Sequence, residues 1–445
     1  MTDIIFSFDV EDYVNPVGAD GILRSAELLR KAGVKGCFNI VAHLAEALVE
    51  WGRTDVIDAL KYHEIDLHSL AHSYHPTINE YTDIADFETA KEEFFSRELP
   101  ARETISQIFG TECYPAACPP GNSVSYVAHY GYAQMGVPIY TGDLLIDPVR
   151  GRHITSCNIT CLDYHLCLDR FLIDNTKEQI DAYIEHMAAE KDMHVLYHHP
   201  QMAILDEFWD LVNFYGKNTP REEWRPSLQL PPEKTALFYE NLAYLVEKLQ
   251  NDPRFRILTY AEFAERYCAQ ERVLTATQLP NIKAQLDNYW FPVTAPDSYC
   301  LADIFLACRD LLPGQEAHSC HEVYGFLEAP YAISEAITVT AKELRASVHT
   351  IRDDFLPARI LVGQQEIGPA DWLRAALEVL CGAQSVTLTP ADWQIDMDQF
   401  PGIRDLDMKG SWVHSADFED RYLSDRFRLQ SWTYRLPPHT SRTIF

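Results

Sequence analysis

Apolar runs alternate with amphipathic stretches through the first 270 residues of the chain. Residues 4–8 form an apolar run typical of a buried strand, residues 21–31 carry leucines at helical spacing and end at Gly33, and residues 34–41 again have the composition of a strand. A strand followed by a helix and a second strand favours a parallel sheet or barrel. In such folds ligands bind at the carboxyl ends of the strands.

The pattern changes near residue 270. Before it, helical patterns cover residues 42–62 (with a break near Gly52), 86–108, 177–191 and 233–249, and a strand at 255–259 leads into a helix at 260–267. After it, a polar stretch is followed by helices at 299–312, 340–351 and 369–380 around short strands. We therefore expect an α/β barrel over residues 1–270 and a smaller α+β domain of unknown role over residues 271–445.

Acidic and imidazole side chains follow two of the predicted strands. Asp9, Glu11 and Asp12 come at the end of the first apolar run, and the apolar stretch 64–67 leads into His68 and His72. Two histidines four residues apart at a strand end can share one metal ion, which also needs a third ligand such as a carboxylate. The alternative is that the histidines cap a loop and the acids lie in water; the two segments together favour a metal site.

These two segments resemble the first two motifs of the polysaccharide deacetylase (NodB-homology) family, an acidic pair ending the first strand and a His-Ser/Thr-x-x-His sequence. The resemblance implies a distorted (β/α) barrel in which one acid and two histidines hold a zinc-like ion and a second acid is the general base. It assigns Asp9 as the base and His68 and His72 as metal ligands. The third ligand is Glu11, with Asp12 as the close alternative.

The family's last motif is a strand-end histidine that protonates the leaving amine. Residues 193–197 form an apolar run that ends in His198, His199 and Pro200, which resembles this motif. The His-Pro register favours His199 as the acid, with His198 as the alternative. The third motif is only partly matched, because Pro120 and Gly121 resemble its turn while its arginine is absent. Either another group holds the base or the chemistry differs.

Two further segments contain candidate binding residues. The aromatic and amide side chains of residues 208–218 suit stacking on a ring and hydrogen bonding to it, so Trp209, Asn213 and Tyr215 join Pro120 as candidate substrate contacts, although an ordinary packed loop fits equally well. The cysteines at 157, 161 and 167 lack zinc-finger spacing. A hairpin of half-buried cysteines is the expected structure there.

Charge and cysteine content limit the partners. The formal charge of −29 disfavours nucleic acid and anionic membranes. The sequence has no pattern of a signal peptide or a membrane span, and its eleven cysteines are scattered. We expect a cytoplasmic protein that acts on a small molecule or an oligosaccharide, with a homo-oligomer left open.

Three functional hypotheses follow from these residues. A metal held by a carboxylate and two histidines suits hydrolysis of an amide at neutral pH. The first hypothesis is deacetylation of an N-acetylated carbohydrate, with zinc as the expected ion. The second keeps the same site for a cyclic-amide or allantoin-type substrate, which the cytoplasmic prediction favours. The third is a catalytically inactive binding barrel, which the missing arginine favours.

Overall fold

The computed structural model describes residues 1–121, 125–141, 154–190, 193–268, 271–391, 395 and 414–436. Its strands are β1 Thr2–Val10, β2 Cys37–Ile40, β3 Glu64–Leu67, β4 Ala116–Ala117, β5 Ile139–Thr141, β6 Ile154–Ser156, β7 Ile159–Leu162, β8 Leu166–Cys167, β9 Met193–His198, β10 Phe255–Leu258, β11 Val273–Thr275, β12 Ala317–Ser319, β13 Tyr324–Phe326, β14 Ile337–Thr340, β15 Phe355–Leu356, β16 Ile360–Val362, β17 Gln365–Ile367 and β18 Ser385–Leu388. Its helices are α1 Ala19–Ala32, α2 Ala42–Glu50, α3 Thr54–Leu60, α4 Ile78–Thr82, α5 Phe87–Phe109, α6 Tyr126–Gln134, α7 Leu168–Asp174, α8 Lys177–Glu190, α9 Trp209–Asn213, α10 Pro232–Asn251, α11 Tyr260–Tyr267, α12 Leu279–Asn288, α13 Leu301–Leu311, α14 Ala341–Ser347, α15 Pro369–Leu380 and α16 Leu423–Leu429.

The chain divides into two compact units. Among the described residues, the first unit holds those up to 141, those from 161 to 268, and 414–423; the second holds 154–160, those from 271 to 395, and 424–436. Each unit therefore includes a short segment from the other side of residue 270, 414–423 in the first and 154–160 in the second. The expected domain boundaries at 270 and 271 stay a prediction.

Strand β1 is the centre of a curled parallel sheet in the first unit. It pairs with β9 along most of its length, with β2 over its last four residues and with β10 at its start. From β2 the sheet continues through β3 and β4 to β5, and on the other side β9 pairs with β8. All residues of β1 are buried, as expected for a strand covered on both faces. The expected α/β fold class, a distorted barrel accompanied by a smaller unit, is confirmed.

The parallel register brings the ends of several strands to one edge of this sheet. Asp9 of β1 lies opposite Asn39 of β2, and Asn39 lies opposite Asp66 of β3. The residues that follow β1, β3 and β9 therefore leave the sheet on the same side. Helix α1 approaches this edge closely, since a Cβ atom on Gly21 would lie 2.1 Å from the carbonyl oxygen of Pro200, just after β9.

Two carboxyl groups of β3, those of Glu64 and Asp66, lie side by side in the sheet. Glu64 accepts hydrogen bonds from the backbone amides of Tyr260 and Ala261, at 2.7 and 3.0 Å, and so caps α11. Asp66 accepts from the amide of Ala116 at 2.8 Å. Burial, and then the negative charge of Glu64, raise the pKa of Asp66 well above its ordinary value, and burial also raises the pKa of Glu64. The folded protein therefore retains a proton here that the unfolded chain releases.

We expect the substitution Asp66→Asn to raise the thermal midpoint, and the gain to grow as the pH rises above about 4. Above this pH the two carboxyl groups ionise in the unfolded chain, while in the folded protein the pair resists ionisation. The wild type therefore loses stability as the pH rises, and the Asp66→Asn variant does not. Thermal unfolding at pH 5 and pH 8 measures this. Glu64→Gln is the matched control and is expected to lower the midpoint, because an amide cannot accept both N–H groups. A gain that is independent of pH would contradict the shared-proton interpretation.

The second unit is built around α13. Most residues of this helix are buried, and Phe305 packs against Trp372 of α15 with ring centroids 4.7 Å apart. Trp432 and Tyr434 from the end of the chain are buried in the same unit, whereas Trp412 lies outside the described residues. In the part of the chain that the structure describes, every helix is too short or too polar to cross a membrane.

Candidate metal and catalytic site

Three side chains converge at the edge where β1 and β3 end. Glu11 Oε2 lies 2.8 Å from His72 Nε2 and 3.2 Å from His68 Nε2. All three side chains are almost fully buried. The two segments that the sequence analysis paired, 60 residues apart, thus meet with two imidazole nitrogens turned toward one carboxylate oxygen.

The second oxygen of Glu11 is held by the protein. Gln201 Nε2 and Trp209 Nε1 donate hydrogen bonds to Glu11 Oε1, at 3.0 and 3.1 Å. These two donors fix the carboxylate so that Oε2 faces the histidines. A carboxylate ligand supported in this way is typical of a protein metal site.

Both imidazoles are oriented through their other nitrogen. Nδ1 of His68 makes a short hydrogen bond to the carbonyl oxygen of Cys118. Nδ1 of His72 donates to Ser73 Oγ at 2.6 Å, and the hydroxyl of Ser73 donates to Asp210 at 2.6 Å. A hydrogen bond at Nδ1 fixes the tautomer that presents Nε2 as the ligand atom.

The backbone of this loop adopts an unfavourable conformation. Ser69 and His72 have φ angles of 68° and 53°, in the left-handed region that residues other than glycine seldom adopt. Such residues cost roughly 1–3 kcal/mol each and concentrate at functional sites. Here the strain places both imidazoles on one side of the loop.

The opposite charges of Glu11 and His72 stabilise each other. Burial raises the pKa of Glu11, but the charges of His72 and His199 and hydrogen bonds to His68 and His72 outweigh it and hold the pKa well below its usual value. Burial lowers the pKa of His72, yet Glu11 and Asp210 together raise it to about 9. The donor set of one carboxylate and two imidazoles suits zinc or a similar divalent ion, so the residues fit the expected cofactor.

Asp9 lies beside this cluster and is held by neutral groups. Its Oδ1 accepts from Asn39 Nδ2 at 2.6 Å and from the hydroxyl of Tyr164 at 3.3 Å, and Asn39 also donates to Ser7 Oγ at 2.8 Å. Its Oδ2 lies 3.8 Å from His199 Nε2. An amide and a phenol therefore contact the carboxylate for which the family pattern supplies an arginine.

Asp12 is placed differently from Glu11. Its Oδ1 accepts from the amides of Val14 and Asn15, and its Oδ2 accepts from the side chain of Asn15, each at 2.9 Å. Burial raises the pKa of this carboxyl to about 7. Both oxygens are used in forming the turn after β1, which leaves Glu11 as the acid that meets the histidines.

The carboxylate of Asp169 forms hydrogen bonds with both candidate acids, His198 and His199. Asp169 in the first turn of α7 contacts His198 Nδ1 through Oδ1 at 2.6 Å and His199 Nδ1 through Oδ2 at 2.7 Å. His198 is fully buried and stacks on Phe238, and burial lowers its pKa. Burial also opposes charge on His199, but Asp169 and then Glu11 raise its pKa well above its ordinary value. His199 is thus the charged, partly exposed partner that faces Asp9.

The four candidate substrate contacts have different surroundings. Pro120 is buried in the turn after Cys118, and Trp209 is buried behind Glu11. The amide of Asn213 bonds to the backbone of Trp209 and Arg225. Tyr215 is 60% exposed. Of the four, Tyr215 has the surface available for a ligand.

Several residues at this site were not found by sequence reasoning. Asn39, Asp169 and Gln201 each touch a candidate side chain directly. Two of them carried a usable signal, since Asn39 is the polar residue near the end of the second strand and Gln201 closely follows the His-Pro pair. Asp169 had no such signal, because it lies in a helix 30 residues before the histidine it binds.

Comparison with known proteins gives similarity in structure only. No family model matches the sequence, and no curated protein matches it. Puue allantoinase matches with a TM-score of 0.40 and 11% identity, covering 60% of this chain and 92% of its own. The peptidoglycan deacetylase PdaC from Bacillus subtilis matches with a TM-score of 0.30 and 13% identity, covering 64% of this chain and 96% of its own.

A third structure is a CE4 family pseudoenzyme from Bacillus anthracis. It matches with a TM-score of 0.32 and 11% identity, covering 58% of this chain and 64% of its own. Values this low describe a shared course of the chain and do not identify an activity. The function is therefore argued from the geometry of the site.

Proposed function

We propose that this protein is a metal-dependent hydrolase of amide carbon–nitrogen bonds and that its substrate is an N-acetylated carbohydrate. The observation that carries the proposal is the pair of distances, 2.8 and 3.2 Å, from Glu11 Oε2 to the imidazole nitrogens of His72 and His68. Glu11, His68 and His72 would hold a divalent ion, with zinc expected. When bound, such an ion supplies Lewis-acid activation of water and of the acyl oxygen.

Asp9 is the proposed general base. Its carboxylate lies at the end of β1, fixed by Asn39 and Tyr164, and takes a proton from the attacking water. Both of these groups are uncharged, and the imidazolium of His199 lies 3.8 Å from the carboxylate.

His199 is the proposed general acid. Asp169 accepts the Nδ1 proton, so Nε2 is the nitrogen that faces the site and donates to the departing amine. The raised pKa of this imidazole, which Asp169 and Glu11 cause against the effect of burial, keeps it protonated at neutral pH. Asp169 is a positioning residue, since it acts through the imidazole.

The test is a hydrolysis assay on the zinc-supplemented protein with two substrate sets. Acetate release is measured from N-acetylglucosamine and its oligomers, and ring opening is measured from allantoin and hydantoin. Acetate release that is lost after chelation and restored by zinc supports the proposal. Ring opening alone would assign the cyclic-amide function, and metal binding without either reaction would leave an inactive binding barrel.

We expect Asn39→Ala to lower kcat/KM about 10- to 100-fold, the effect of losing a hydrogen bond to a charged group. Without this donor the Asp9 carboxylate is held less firmly in the position from which it takes the proton of the attacking water. Metal content is expected to stay unchanged. Ser7→Ala is the control, since it removes the other acceptor of the same amide without touching Asp9. Equal losses in the two variants would contradict a role for Asn39 in holding the base.

A further inference from the structure

Cys167 brings a thiol next to the proposed acid. It ends β8, opposite Tyr197 of β9 in the parallel register, and Asp169 follows it by two residues. Three possible metal-ligand atoms, one each from Cys167, Asp169 and His199, lie within 4.8 Å of one another. The thiol is partly exposed, and the side chains of Asp169 and His199 are 9% and 17% exposed.

These three donors have the chemistry of a zinc site. Thiolate, imidazole and carboxylate are the ligand types that zinc takes, at bond lengths that place ligand atoms about 3.3–3.8 Å apart. The three donor atoms lie within 4.8 Å of one another, so small side-chain rotations can bring them to this spacing. Partial exposure leaves room for solvent as the fourth ligand.

We propose that Cys167, Asp169 and His199 form a second zinc site, separate in its ligands from Glu11, His68 and His72. Binding exchanges protons for the metal: the thiol of Cys167 and the imidazolium of His199 each release one proton as their bonds to zinc form. Cys167 and His199 are partly exposed, whereas the ligands of the first site are buried, which makes the second site the weaker of the two. The proton release makes the affinity of the second site fall on acidification.

Occupation of this site would affect catalysis. A zinc ion on His199 withdraws the imidazole from proton transfer, so excess zinc is expected to inhibit the enzyme while the first equivalent activates it. This consequence rests on the proposed function. The existence of the site does not, because metal binding is measured without a substrate.

The experiment is a titration of the metal-free, full-length protein with zinc and, in parallel, with cobalt. We expect two equivalents, the second weaker, and a thiolate-to-cobalt charge-transfer band that develops with the second one. Cys167→Ser should bind one equivalent without the band. The His68→Ala, His72→Ala double variant should keep the second equivalent and the band. Repeating the zinc titration in buffers of different ionisation enthalpy counts the protons released.

Two exposed thiols provide controls. Cys113→Ser and Cys381→Ser should retain both equivalents, because these residues lie outside the three-residue cluster. Saturation of the wild type at one equivalent, or a second equivalent and band that persist in Cys167→Ser, would overturn the proposal. Absence of hydrolysis with only the first equivalent bound would remove the proposed function and leave the second site intact.

Discussion

Replacing His68 and His72 together with alanine is expected to reduce the metal content from about one tightly bound ion per chain to near zero. The two imidazoles supply two of the three ligands at a buried site, and neither alanine can bind a cation. Hydrolysis should fall below detection in the same variant. Elemental analysis after exhaustive dialysis, which also removes the weaker ion, measures the first effect beside the wild type.

The double variant carries a risk that the test must address. It leaves the buried carboxylate of Glu11 without its two imidazole partners, and breaking a buried ion pair typically costs about 3–5 kcal/mol of stability. Glu11→Gln is therefore the companion variant, since its amide oxygen can still accept from Gln201 and Trp209 while the charge is removed. Circular dichroism confirms folding. A folded Glu11→Gln protein that retains a full equivalent of metal would contradict the site.

The parts of this site that the sequence predicted share one property. Asp9 and Glu11, like His68 and His72, lie at or just after the ends of apolar strands, where the local pattern predicts both the strand and the end at which side chains emerge. The same reasoning predicted the fold class but not the order of the strands in the sheet. It did not say that β10 also pairs with β1, because such pairing joins residues about 250 positions apart.

The supporting contacts were beyond sequence reasoning because they depend on packing. Trp209 is a candidate substrate contact in a loop for which ordinary packing fits equally well, and its indole donates to Glu11, 198 residues earlier. Cys167 was assigned to a hairpin of half-buried cysteines because its sequence spacing to other cysteines does not match a zinc motif. The structure places it near His199, a histidine 32 residues later that directly follows the adjacent strand β9. Ligand sets drawn from separate strands leave no spacing signal.

His199→Gln is expected to lower kcat by about 10²- to 10⁴-fold, the usual contribution of general acid catalysis, with the tight metal equivalent retained. His198→Gln is the matched variant, since both histidines bond to Asp169 and only His199 faces Asp9. The buried His198 stacks on Phe238, so its loss should cost about 1–3 kcal/mol of stability and change kcat little. Steady-state kinetics and thermal unfolding on both variants separate the two roles. If His198→Gln loses the activity and His199→Gln keeps it, the acid is His198 and the assignment from the His-Pro register is wrong.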